Sequence, residues 1–124
     1  MELTYLIKQK TKLPKDSHFL ANNEDFPNID KDISNARDLE LDNEKRSVEM
    51  IKKWNLPIDV ELYTKKANAY VQFYNYIKES RKWSKPGRAP YVVPEVIEVM
   101  SDKFDMNYDE LTPEIRKVFV EQGI

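Results

Sequence analysis

The clearest pattern in the chain is a run of apolar and aromatic positions at helical spacing between Val60 and Trp83. At 100° per residue it resolves into two apolar stripes. One holds Val60, Tyr63, Ala67, Tyr70, Val71, Tyr74 and Ile77, and the nearly opposite one holds Leu62, Ala69, Phe73, Tyr76 and Trp83. A wedge of Glu61, Thr64, Asn68, Gln72, Asn75 and Glu79 is plainly polar. The pattern predicts one long central helix from the N-cap Asp59 to about Trp83, covered over two-thirds of its circumference.

Around it the spacing predicts shorter helices. One begins near Asp42 or Asn43, carries Val48, Ile51 and Trp54 on one face, and ends at Asn55-Leu56-Pro57, because the residue before a proline avoids the helical region. Lys85-Pro86-Gly87-Arg88-Ala89-Pro90 forms a stiff extended connector. A third helix starts with Pro94 at its first position, is favoured by Glu95 and Glu98, and buries Val96, Val99, Met100 and Phe104. A fourth is capped by Thr112, starts at Pro113, buries Ile115, Val118 and Phe119, and closes at Gly123. The fold class expected is all-α, a small bundle of about four helices.

The first third of the chain reads differently. Residues 3–7 are apolar enough to dock as a short strand or a helical turn. Pro14, Pro27, the Asn22-Asn23 pair and eight acids between Glu24 and Glu44 leave residues 11–42 with little periodicity. The expected division is an irregular acidic arm over 1–42 and a helical domain over 43–124. A short helix near Asp30–Asp38 is the one element the arm offers. Its scattered anchors Phe19, Leu20, Phe26, Ile29 and Ile33 suit a segment lying along a partner or along its own helices.

Charge sharpens the picture. The net charge is −2 over 124 residues, but it is segregated. Residues 63–91 hold seven bases against the single acid Glu79, and both flanks are acidic. Lys78, Arg81, Lys82, Lys85 and Arg88 therefore form a basic stretch interleaved with Trp83 and Tyr91. Two uses fit it: pairing with acids of the same or another protein, or contact with phosphates while an aromatic stacks on a base. Pairing with acids is favoured, since the rest of the surface would repel phosphate.

No catalytic signature accompanies these patterns. The single histidine, His18, stands beside Ser17 and Asp16 in the arm, where adjacent residues cannot hold a nucleophile–base geometry. Two glycines preclude a glycine-rich phosphate loop. Asp30, Asp32, Ser34 and Asp38 follow calcium-loop spacing, but Asn35 and Leu41 replace the turn glycine and the bidentate glutamate. Zero cysteines remove disulfides and zinc–thiolate sites. No enzyme activity, cofactor, metal or small-molecule substrate is indicated, and no run reaches the ~18 apolar residues of a membrane helix.

The sequence thus leads to a non-catalytic structural, assembly or adaptor protein, either homo-oligomeric or bound to another protein. Its expected contact residues are Phe73, Tyr76, Trp83 and Tyr91, whose large rings suit interfaces. The alternative is a small nucleic-acid-binding or regulatory protein using residues 78–91. A third use, inhibition by an acidic arm that mimics nucleic acid, engages residues 24–44. In general character the chain is similar to small structural or accessory proteins of bacteriophage particles: rich in lysine, asparagine and tyrosine, and free of cysteine. The expected setting is the cytoplasm or a particle assembled there.

Overall fold

The computed structural model describes residues 28–124. The segments 3–7 and 11–27, with His18, Phe19, Leu20 and Phe26, lie outside the described residues. Within them the fold is all-α: α1 (Ile29–Lys53), α2 (Val60–Ser80), α3 (Pro94–Glu98) and α4 (Pro113–Glu121), with a 3₁₀ turn at Pro90–Val92 and no strand.

The first helix begins at Ile29, not near Asn43, so residues 29–42 are helical and not part of an irregular arm. Ile29, Ile33, Arg37, Val48 and Ile51 are its buried positions, at helical spacing throughout. Asp30 and Asp32 in the first turn and Lys52 and Lys53 in the last suit the helix dipole. The middle of the buried face is polar, with Arg37, Glu40 and Glu44 where an apolar residue would signal a helix. That interruption hides the element from a hydrophobicity pattern. The calcium-loop spacing therefore falls on helical backbone, and Asp30 pairs with Arg81.

The central helix α2 is capped as expected, the Asp59 side chain accepting from the Leu62 N–H at 3.1 Å. It ends at Ser80, before Trp83, because Arg81 adopts the left-handed conformation (φ +58°) while its N–H still bonds to the Ile77 carbonyl. α1 packs antiparallel along one side of α2, burying Ile29 and Ile33 against Phe73, Tyr74 and Ile77. The C-terminal half covers another side, where Ala69 meets Val93, Val96, Met100, Leu111, Ile115 and Phe119. Burying a large aliphatic or aromatic side chain contributes roughly 1.5–3 kcal/mol, so these two clusters supply the main attraction.

The polar wedge of α2 is where the structure departs most from the pattern. Thr64, Asn68, Gln72 and Asn75 are all buried, at 2% exposure or less. Asn68, Gln72 and Asn75 face the irregular segment 101–111 and hold its backbone. Asn68 Nδ2 donates to the Ser101 and Lys103 carbonyls at 2.9 Å each, Gln72 Nε2 to Asn107 at 2.7 Å, and Asn75 Nδ2 to Tyr108 at 3.0 Å. The Tyr108 hydroxyl returns a bond to Asn68 Oδ1 at 2.7 Å. Buried Arg37 closes the network from α1, donating to Asn75 Oδ1 at 2.9 Å and pairing with Asp38 at 2.8 Å. A buried carbonyl must find a donor, and here the helix side chains are those donors.

The remaining elements follow their caps. The Thr112 hydroxyl accepts from the Ile115 N–H, Pro113 opens α4, and Gly123 (φ +67°) follows its last turn. α3 is only five residues long, so Val96 and Met100 are buried while Val99 is left exposed.

Candidate functional site

Three surfaces are available for binding, and each is fixed by the way a helix ends or two helices meet. The first lies at the C-terminal end of α2. The left-handed Arg81 reverses the chain and brings Trp83 back edge-on to Phe73, with ring centroids 5.2 Å apart. Tyr76 packs against Phe119, also at 5.2 Å. Beside these rings is an open cleft of about 510 Å³, lined by Tyr76, Ser80, Lys82, Trp83, Lys85 and Val120 among others. Tyr76, Trp83, Lys82 and Lys85 thus converge from the predicted set.

The other predicted residues go elsewhere. Phe73 is 2% exposed and belongs to the core, which corrects its expected place on a partner-facing surface. The middle of the second apolar stripe is covered from within the chain, Phe73 meeting Phe119 of α4 and Trp83 of the connector, while Leu62 at its start is exposed. Lys78 donates to Ser34 Oγ at 3.0 Å, and burial followed by the nearby Arg37 charge lowers its pKa. Arg81 pairs with Asp30 at 2.5 Å. Arg88 donates to the Gln122 backbone carbonyl. Three of the five predicted cations therefore tie the basic stretch to its own fold. Lys82 and Lys85 stay on the surface.

The second surface is a groove of about 310 Å³ between α1 and α2, lined by Glu40, Glu44, Tyr63, Lys66, Ala67, Tyr70 and Tyr91. The 3₁₀ turn sets Tyr91 against Tyr70, with centroids 5.6 Å apart and planes at 46°. Tyr70 also meets Tyr74 edge-on at 5.4 Å. Burial pushes the Tyr70 hydroxyl up to about 12, and the Glu40 charge adds to the rise. Tyr63 is raised by burial and then by the neighbouring Glu44 carboxylate. Tyr74 is raised by burial and by its bond to Tyr70.

The third surface is the tip of the α1–α2 hairpin. Trp54 caps α1 and Asn55 turns in the left-handed region (φ +49°), so Trp54 leaves the buried face on which its spacing had placed it. Met50, Trp54, Leu56, Ile58 and Leu62 are all exposed there, Trp54 at 64%.

No family model, curated protein or solved structure matches this chain.

The geometry therefore stands alone. Among the described residues no helix is long and apolar enough to cross a membrane. Sequence reasoning missed the hairpin tip and the roles of Glu40 and Glu44. The tip had a signal: Trp54, Leu56, Ile58 and Leu62 flank a short proline turn, where little of the chain is at hand to cover them. Glu40 and Glu44 had one too, the i, i+4 spacing that puts both on one helix face.

Proposed function

We propose that this protein is a non-catalytic assembly or adaptor subunit that binds another protein through the tip of the α1–α2 hairpin. One observation carries the reading: among the described residues, five of the ten exposed large hydrophobic side chains, Met50, Trp54, Leu56, Ile58 and Leu62, fall within positions 50–62. Scattered exposed hydrophobics are ordinary, but a concentration of them around one helix–helix turn marks an interaction surface. Trp54 is of the residue type that anchors interfaces, and Lys52, Lys53, Asp59 and Glu61 supply a polar rim around it. The composition suggests a bacteriophage particle, or the cytoplasm where one is assembled, as the setting.

The test compares the parent with a Trp54→Asp/Leu56→Asp variant of unchanged helicity, using light scattering to obtain molar mass. A defined parent oligomer that becomes monomeric in the variant supports the tip as the self-association surface. An oligomer that persists sinks it. If the parent is monomeric, both proteins are immobilised and exposed to the same lysate. A protein held stoichiometrically by the parent and released by the variant is the outcome expected, and identical retention overturns the proposal.

The nucleic-acid alternative draws its support from the cleft where Tyr76 and Trp83 adjoin Lys82 and Lys85. It requires single-strand binding that weakens steeply with salt and is lost in a Lys82→Ala/Lys85→Ala variant. Equal binding by that variant removes it.

A further inference from the structure

We infer that the groove between α1 and α2 is a binding site for an organic cation, an alkylated ammonium or guanidinium head. Its walls combine three tyrosines, Tyr63, Tyr70 and Tyr91, with two carboxylates, Glu40 and Glu44, in a space of about 310 Å³. That volume is at the lower end of ligand pockets, ~300–1,000 Å³, and suits a compact head group. Each wall component selects against other ligands. Carboxylates repel phosphates and carboxylates, and the apolar ring surface offers nothing to a small, strongly hydrated metal ion. A neutral apolar ligand would take water from the two carboxylates and offer them no opposite charge in return. A cation that also presents apolar surface satisfies both parts, since aromatic rings attract positive charge and the carboxylates neutralise it.

The partners around the groove are consistent with this assignment. Tyr91 is held against Tyr70, and Glu40 and Glu44 line the same groove one helical turn apart on α1, so both kinds of group are placed before any ligand arrives. Ala67, buried at the floor, leaves the space that a larger side chain would fill. Lys66 is the one basic residue of the lining among the described residues. It leaves the lining with one net negative charge and competes with an incoming cation, which gives the inference a directional test. The site stands whether or not the hairpin tip binds a partner.

The experiment titrates the full chain, with ring-¹³C-labelled tyrosine, at constant ionic strength. The probes are tetramethylammonium, an arginine-containing peptide, a trimethyllysine-containing peptide and neutral tert-butyl alcohol. Saturable shifts of the Tyr63, Tyr70 and Tyr91 rings with the cations alone are expected. Glu40→Gln/Glu44→Gln should weaken binding about tenfold or more, and Lys66→Met should tighten it about threefold, both with unchanged circular dichroism. A peptide that binds at least about tenfold tighter than tetramethylammonium assigns the cation to a protein side chain. Equal affinities assign it to a small free ammonium compound. No saturable shift below about 100 mM, equal shifts with tert-butyl alcohol, or undiminished binding by the double glutamine variant overturns the site.

Discussion

The buried seam of α2 and the tip of the α1–α2 hairpin reverse the usual distribution of side chains. At the seam Asn68, Gln72 and Asn75 are inside, and at the tip Trp54, Leu56 and Ile58 are outside. The difference lies in what each surface faces. The seam faces an irregular backbone whose carbonyls need donors, so amide side chains are favoured over aliphatic ones. The tip is a turn between two helices, and no described element reaches over it. Polarity alone thus does not tell inside from outside here.

The largest effect separates two aromatics. Phe73→Ala should cost about 3–5 kcal/mol by leaving a cavity, whereas Trp54→Ala should change stability by less than about 1 kcal/mol. Urea denaturation of both variants measures this, and similar losses would erase the distinction between core and tip. Next comes the seam. Asn75→Ala leaves the Tyr108 carbonyl, Gln72 Oε1 and the Arg37 guanidinium short of a partner, an expected loss of about 2–4 kcal/mol. A loss below about 0.5 kcal/mol would mean that water replaces the amide and that the seam is not sealed.

Smaller effects follow from titration. The folded chain keeps the Tyr70 and Tyr74 hydroxyls neutral to higher pH than the unfolded chain does. The Tyr70 contribution is therefore complete below about pH 10 and is lost as pH rises through about 12, and that of Tyr74 is lost in the same direction at higher pH. Thermal melts between pH 9 and 12 should show a decline that Tyr70→Phe/Tyr74→Phe flattens. The weakest effect belongs to the exposed Glu79–Arg116 pair, whose hydrogen bonds hold the Glu79 carboxyl below its ordinary range. Its contribution is present above the unfolded carboxylate pKa and fades as pH falls through the lower folded one, and Glu79→Gln should remove that slope.

Much of this fold was legible in the sequence. Asp59, Thr112 and Pro113 announce helix starts through their own chemistry, and α2 declares itself by two apolar stripes. The part of α1 before Asn43 was not legible, because its buried face passes through Arg37, Glu40 and Glu44. The interior role of Asn68, Gln72 and Asn75 was hidden for a related reason. A polar residue reads as solvent-facing until the carbonyls it serves are placed opposite, and those come from residues over thirty positions away. Of the candidate sites, the cleft gathers Tyr76, Trp83, Lys82 and Lys85, residues that the sequence singles out, although their meeting in one cleft is visible only in the fold. The groove needed the α1 register, which puts Glu40 and Glu44 beside the tyrosines.

The seam also separates two properties that usually travel together. Asn68, Gln72 and Asn75 grip the 101–108 segment by its oxygen atoms, so its amide protons are not what α2 holds. Relaxation measurements should report that segment as nearly as stiff as a helix, while deuterium enters its amides far faster than those of α2. A probe of proton exchange alone would mistake a clamped ribbon for a loose one.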